Sequence, residues 1–176
     1  APSPPLQNYA DYSATNKAPN SVTPQIVYGT KGSGSPLGSA NCPTPLAGSD
    51  FQNKINAAAA GSLVCVQSGD YSTLTMTVNK GVTVRAVGAA KVKNVIISGG
   101  AAATVDGFNV VGGTLGSPNY AIKFSGTGHQ IINNLVRGRG IWYGIGCEQS
   151  AGCGTNVRIA GNTLTGLHNF GIYLWG

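Results

Sequence analysis

The second half of the chain repeats itself. Residues 105–112, 131–138 and 159–166 align without gaps, with an apolar residue, an aromatic or Asn, a second apolar residue and a Gly at the same offsets, and successive copies start 26 and 28 residues apart. A second apolar set, Ile122, Ile145 and Ile172, recurs after 23 and 27 residues. This period holds two or three short strands and has no room for a crossover helix. It therefore predicts coils that stack on one another.

Stacked coils pair their strands in parallel, with each coil adding about 4.8 Å along the axis. The inward Val, Ile and Leu residues would form aliphatic stacks, and Asn134 above Asn162 would form an amide ladder at a bend. The alternative is an antiparallel sandwich in which the repeats are accidental. Tight hairpin turns, which Asn-Gly and Asp-Gly favour, would support the sandwich. Asp106-Gly107 is the one such pair between predicted strands.

Composition favours strands and one helix. The 176 residues include 27 Gly, and charged residues make up 9%, so the chain lacks the Lys and Glu that cover exposed helix faces. The predicted exception is residues 49–60, which Ser49 or Asp50 can cap and Gly61 can end. Apolar residues fall on one face of this helix at Phe51, Ile55, Ala58 and Ala59.

Residues 1–48 differ from the rest and contain eight of the nine prolines. This composition predicts an extended Pro/Gly/Ser-rich arm, followed by a β-helix domain over residues 49–176. The arm contains the apolar run Gln25, Ile26, Val27 and Tyr28. This run is a candidate for an added strand, either on its own core or on a neighbouring subunit, and the alternative is that the arm is a flexible leader or linker.

The four cysteines predict disulfides. There is no Cys-x-x-Cys pair and only two His, so the spacing of a zinc site is missing. The expected pairs are Cys147 with Cys153, which would close one glycine-rich loop, and Cys42 with Cys65. Disulfides and an Ala-Pro-Ser-Pro-Pro start without Met indicate a secreted protein, extracellular or on the cell surface. No apolar stretch is long enough to predict a membrane span.

Several motifs together resemble a known group. They are the alanine-rich helix followed by residues 61–71, GSLVCVQSGDY, then Gly81-Val82-Thr83-Val84, Asp106-Gly107-Phe108 and Gly161-Asn162-Thr163-Leu164. This series resembles the right-handed parallel β-helix proteins of the pectin-lyase-like superfamily, over about residues 50–176. The resemblance implies an all-β, right-handed parallel β-helix with the helix as its N-terminal cap. It implies no single activity, because the superfamily includes lyases, hydrolases, esterases, tailspikes and adhesins.

Acidic residues are too few for two common chemistries. Glycoside hydrolysis needs two facing carboxylates, and a calcium site needs several oxygen ligands in one place. The chain has five acids scattered along it: Asp11, Asp50, Asp70, Asp106 and Glu148. We expect Asp50, Asp70 and Asp106 to serve caps and turns. The sequence therefore predicts no metal and no cofactor.

A lyase that works without calcium stays open as an alternative. Eliminating a uronic acid needs a cation at the carboxylate and a base at the ring proton. Consecutive coils supply these residue types as Lys123, His129, Arg137, Arg139 and Tyr143. The net charge of +6 agrees with an acidic polysaccharide as partner, while no dense basic patch or motif indicates specific nucleic-acid binding.

The last residues read as a strand of a new coil, with Ile172, Leu174 and Trp175 and no polar finish. An uncovered β-helix end exposes unpaired backbone groups and the ends of apolar stacks. We therefore expect a secreted structural protein that assembles head-to-tail with copies of itself into a filament or surface layer, through this coil and the arm. The alternatives are a polysaccharide lyase, or a fragment of one, and a carbohydrate-binding adhesin.

Overall fold

The computed structural model describes residues 42, 46–113, 120–138, 141–147 and 153–175. This part of the chain contains one helix and an 11-stranded sheet. The helix is α1 (Phe51–Ala57). The strands are β1 (Leu63–Val78), β2 (Thr83–Ile97), β3 (Thr104–Asp106), β4 (Asn109–Val110), β5 (Tyr120–Phe124), β6 (Gln130–Ile132), β7 (Leu135–Arg137), β8 (Tyr143–Cys147), β9 (Arg158–Ala160), β10 (Thr163–Thr165) and β11 (Phe170–Leu174).

Every strand pair is parallel, and the chain winds into a β-solenoid of about four turns. The solenoid has three faces. Face 1 consists of the first parts of β1 and β2 with β3, β6 and β9; face 2 of their middle parts with β4, β7 and β10; and face 3 of their last parts with β5, β8 and β11. The stacked-coil prediction is confirmed, and no antiparallel pair occurs in the described part.

The strand register matches the repeat in the sequence. One inward position of each face stacks on its counterpart in the next coil: Val105, Ile131 and Ile159 on face 1; Val110, Val136 and Leu164 on face 2; Ile122, Ile145 and Ile172 on face 3. These side chains belong to one continuous aliphatic core. Each sequence repeat therefore corresponds to one coil of the solenoid.

An amide ladder closes the corner between faces 1 and 2, as the sequence predicted. Asn134 Oδ1 accepts the Phe108 N–H at 2.9 Å, and Asn134 Nδ2 donates to Asn162 Oδ1 at 3.0 Å. The residue before each ladder position adopts a left-handed conformation, which Gly and Asn tolerate best: Gly107 (φ 81°), Asn133 (φ 57°) and Gly161 (φ 66°). The chain therefore turns sharply at this corner, and the side-chain amides of the ladder keep their hydrogen bonds.

The N-terminal helix is shorter than the predicted 49–60. Phe51 and Ile55 are buried as expected, but the chain leaves the helical conformation at Ala58 (ψ 139°). Asp50 does not cap the helix with its side chain, because its carboxylate accepts the Gly48 N–H at 2.9 Å. The chain must turn early in order to enter β1.

The edge of β1 next to the helix is partly covered. Ala47 forms a parallel bridge with Val66, and Gln67 donates to the Ala47 carbonyl at 2.8 Å. Gln52 acts like a one-residue strand: its Oε1 accepts the Thr77 N–H at 2.8 Å, and its Nε2 donates to the Thr77 carbonyl at 2.9 Å. This end of the solenoid is thereby capped on faces 1 and 3.

Both predicted disulfides are present, Cys42–Cys65 with Cα atoms 5.8 Å apart and Cys147–Cys153 with Cα atoms 5.4 Å apart. The arm, including Gln25, Ile26, Val27 and Tyr28, lies outside the described residues, apart from Cys42 and residues 46–48. Within the described ranges, no helix has the length and apolar character needed to cross a bilayer.

Candidate functional site

Face 3 carries a ladder of aromatic rings along the solenoid axis. Tyr120 of β5 is the register partner of Tyr143 of β8, which is in turn the partner of Phe170 of β11. The ring centroids are 5.0 Å apart for the first pair and 6.0 Å for the second, and the second pair is stacked within 7° of parallel. Parallel pairing places one ring above another at each coil, so the register builds this ladder.

A fourth ring, that of Tyr173, completes the stack. Its centroid lies 4.4 Å from that of Tyr143, with the two planes within 19° of parallel. Tyr173 pairs with Gly146, and the Tyr120 ring occupies the space that a Cβ on Gly146 would need. The absent side chain at Gly146 is therefore what lets the rings of three coils approach one another.

Two tryptophans extend the ladder into solvent. Trp175 packs edge-on against Tyr173, with centroids 6.0 Å apart, and Trp142 lies next to Tyr143. The exposed fractions are 48% for Trp142, 48% for Phe170 and 54% for Trp175. Four large hydrophobic side chains are exposed in the described part of the chain, and these are three of them. Tyr120 is fully buried and Tyr143 is 9% exposed, so these two rings support the exposed rings from beneath. We call the set Tyr120, Trp142, Tyr143, Phe170, Tyr173 and Trp175 the aromatic surface.

The charge beside the aromatic surface is positive. Lys123 pairs with Gly146, and its ammonium lies 5.8 Å from the centroid of the Tyr120 ring, within the range of a cation–π contact. After Asp106 the sequence has four Lys or Arg residues and one acid, Glu148, which lies outside the described residues. An anionic ligand would therefore meet little repulsion here.

Of the lyase candidates in the described part of the chain, two lie on face 3, Lys123 and Tyr143. Arg137 is exposed at the end of β7 on face 2, and Arg139 lies outside the described residues. His129 is fully buried, with Nδ1 accepting the Ala103 N–H at 3.1 Å and Nε2 lying 2.8 Å from the Ser125 carbonyl. Because the carbonyl requires a donor, the ring holds its proton on Nε2 and serves the corner of the coil.

The acids are used for structure, and one of them differs from expectation. Asp106 is a buried carboxylate rather than a simple turn residue: Arg85 Nε lies 2.9 Å from Oδ2, and Asn133 Nδ2 donates to Oδ1 at 3.0 Å. Asp70 is exposed and accepts Lys91 Nζ at 2.7 Å. That bond, with those from Ser72, holds the pKa of the Asp70 carboxyl well below its usual range.

Asp50 is the remaining acid in the described part of the chain. Asp50 lies 3.8 Å from Lys54 on the exposed side of α1, whereas Asp11 and Glu148 lie outside the described residues. The described residues contain no group of three or more His, Cys, Asp or Glu side chains placed to hold a metal ion.

Three of the residues expected to take part in assembly lie in the last described coil, whereas Gln25, Ile26, Val27 and Tyr28 lie outside the described residues. Ile172 and Leu174 are half-buried against the core, and Trp175 is exposed. β9 and β10 lie at the two ends of the sheet order, and β11 pairs with β8 alone. Within the described ranges, the outer edges of these three strands have no strand partner.

The sequence contained a signal for the aromatic surface that the residue-type search missed. Tyr120, Tyr143 and Phe170 recur after 23 and 27 residues, the same spacing as Ile122, Ile145 and Ile172 two positions later. The aliphatic repeat predicted the core stack, and the same offsets applied to the aromatics predict a ladder. A search for general acids and bases does not detect aromatic platforms.

Comparison of the chain with protein-family models, with curated proteins and with solved structures finds no match in any of the three. The fold is thus established by the parallel register of the strands alone.

Proposed function

We propose that this protein binds an extracellular polysaccharide along the aromatic surface of face 3. The observation that carries the proposal is the half-exposure of Trp142, Phe170 and Trp175 on one connected stack of rings. Flat aromatic faces pack well against the C–H faces of sugar rings, and large exposed apolar clusters on soluble proteins mark interaction sites. The exposed rings lie on two neighbouring coils, Trp142 before β8 and Phe170 and Trp175 at the two ends of β11, so a ligand that spans both coils can contact all three.

Two further observations favour an acidic polysaccharide. Lys123 lies on the same face, and the net charge of +6 attracts polyanions at long range. The two disulfides agree with secretion, since such bonds persist in oxidising compartments.

Affinity electrophoresis through gels containing pectate, alginate, a glycosaminoglycan or a neutral glucan tests the proposal. We expect retardation by at least one acidic polymer, with Trp142→Ala and Trp175→Ala each weakening binding about tenfold or more, as for the aromatic anchors of other interfaces. Leu74→Ala is the matched control, because Leu74 is exposed and apolar but lies on β1. If Trp142→Ala, Trp175→Ala and Leu74→Ala all bind the polymer as tightly as the unsubstituted protein, the aromatic surface has no role in binding.

Binding without cleavage is the form of the proposal that the geometry favours. His129 cannot reach a ring proton while it is buried in its corner with both ring nitrogens held. We therefore expect no unsaturated products when the protein is incubated with uronate polymers. If such products form and Lys123→Ala or Tyr143→Phe abolishes them, the protein is a lyase that uses the same face.

Self-association is a second candidate, favoured by the unpartnered outer edges of β9, β10 and β11. The last coil carries few charges that would keep copies apart, since Arg158 is the one Lys or Arg after residue 139. A second copy would add strands to these edges. The opposite end of the solenoid offers a smaller acceptor, because Ala47 and Gln52 already cover Val66 and Thr77.

Sedimentation velocity over a wide concentration range tests this candidate. Thr163→Lys places a charge on an edge strand, a common way to block strand addition, and should shift the protein towards monomer. Thr127→Lys is the control, because Thr127 is exposed in a corner outside the strands. Deleting residues 1–40 tests the expected role of the arm. A protein that stays monomeric at every concentration would exclude head-to-tail assembly.

A further inference from the structure

The disulfide Cys147–Cys153 lies beside the outer end of the aromatic surface. Cys147 is the last residue of β8 and the register partner of Leu174, the residue before Trp175. Cys153 Sγ lies 2.8 Å from the Trp175 carbonyl oxygen. Because this sulfur is in a disulfide and carries no proton, the two atoms make a close contact rather than a hydrogen bond. The disulfide therefore touches the coil that carries the exposed tryptophan.

The two halves of the disulfide differ in their surroundings. Cys147 is fully buried, whereas Cys153 is half-buried against the core. The sheet fixes Cys147 through β8, and the covalent bond ties Cys153 to this position. On its other side Cys153 is followed two residues later by Thr155, whose carbonyl accepts the Gly128 N–H at 2.9 Å. Trp175 itself follows the last strand, and its other described packing is the edge-on contact with Tyr173.

We propose that this disulfide positions Trp175 for polysaccharide binding and that its reduction weakens the binding, a regulation that rests on the proposed function. In the oxidised protein the bond holds Cys153 against the Trp175 backbone, so the indole is presented in a restricted range of positions. In the reduced protein Cys153 loses its covalent tie to β8, so its contact with the Trp175 backbone is less restricted, and binding must then immobilise the tryptophan. Ordering one such side chain on binding costs about three- to tenfold in affinity.

The reduction needs a dithiol, supplied as a small-molecule or protein dithiol. Its thiolate attacks the accessible Cys153 sulfur, breaks the S–S bond and releases the Cys147 thiolate, which takes a proton. The second thiol of the reductant then displaces Cys153 from the mixed disulfide. Two electrons and two protons pass to the protein, and the reductant leaves as a disulfide.

The positional claim is tested without any polysaccharide. In a Trp142→Phe background, Trp175 is the single tryptophan, because the chain has two. We expect Cys147→Ser/Cys153→Ser, or reduction and alkylation, to increase iodide quenching of Trp175 and to lower its anisotropy. Cys42→Ser/Cys65→Ser is the matched control and should leave both unchanged. Unchanged quenching and anisotropy in the first variant would overturn the proposal.

The binding claim is tested with the acidic polymer that the wild-type protein retains, starting with pectate. Cys147→Ser/Cys153→Ser should weaken binding about three- to tenfold when Trp175 is present, and should have no further effect in Trp175→Ala. If Cys147→Ser/Cys153→Ser weakens polymer binding by the same factor with Trp175 present and in Trp175→Ala, the disulfide does not act through Trp175. If the wild-type protein retains no polymer, the proposed function fails, while the fluorescence result still decides whether the disulfide positions the tryptophan. Circular dichroism checks that each variant is folded.

Discussion

At the scale of single residues, Gly146 matters because it lacks a side chain. A Cβ there would overlap the Tyr173 carbonyl oxygen on one side and the Tyr120 ring on the other. The carbonyl belongs to the neighbouring strand and cannot move without breaking the pairing of β8 with β11. Gly146→Ala should therefore destabilise the protein by about 3 kcal/mol, the upper part of the range for overpacking.

Thermal or urea unfolding measures this effect, and Gly100→Ala is its control. Gly100 is exposed, and a Cβ there would meet no atom within 4 Å. That substitution should leave stability unchanged or raise it slightly, because alanine restricts the unfolded chain. If the two variants unfold at the same midpoint, the aromatic stack does not depend on a gap at Gly146.

His129 shows why residue types alone did not predict the site. A histidine near two arginines and a lysine is a reasonable candidate for a base when only the sequence is known. Its neighbours in space are the Ala103 N–H and the Ser125 carbonyl, backbone groups that carry no signature in the sequence. Conversely, Ile131 and Ile159 were placed correctly because their role depends on spacing, which the sequence records directly.

At the scale of elements, α1 covers the N-terminal edge of the sheet mainly through Gln52. Its amide supplies the one donor and one acceptor that Thr77 would receive from a neighbouring strand. Gln52→Leu removes both while keeping the size of the side chain. The Thr77 amide should then exchange with solvent at least tenfold faster, since its hydrogen bond is lost.

Hydrogen exchange read by NMR or by mass spectrometry of short peptides measures this change. Gln130→Leu is the control, because Gln130 is exposed on β6. A leucine there adds the same apolar surface at a distance from Thr77. Exposed strand edges recruit other strands, so Gln52→Leu should also increase self-association while Gln130→Leu does not. Unchanged exchange at Thr77 would contradict the role given to Gln52.

The limits of the helix could not be predicted from periodicity. Phe51 and Ile55 have helical spacing and are buried, but Ala58 and Ala59 continue the same pattern outside the helix. The end of α1 depends on the distance to β1, where the Gly61 N–H bonds to the Gly81 carbonyl. Lys80 also binds the Ala58 carbonyl at 3.3 Å. These contacts join residues about 20 positions apart, beyond the reach of a helical pattern.

At the scale of the whole molecule, a solenoid is a one-dimensional stack in which each coil is stabilised by its neighbours. The first coil has α1, Ala47 and the Cys42–Cys65 disulfide against its outer side. The coil of β9, β10 and β11 has a described neighbour on one side only. Opening should therefore begin at β9–β11 and proceed towards the helix.

Val136 and Leu164 test this order, because they are register partners in one apolar stack. Val136 is fully buried between two coils, so Val136→Ala should cost about 2–3 kcal/mol and lower exchange protection throughout the solenoid. Leu164 is half-buried in the last described coil, so Leu164→Ala should cost about 1–2 kcal/mol and speed exchange in β9–β11 while β2–β6 keep their protection. Native-state hydrogen exchange measures both. Equal loss of protection along the chain in the two variants would mean that the coils open together, and the stepwise account would be wrong.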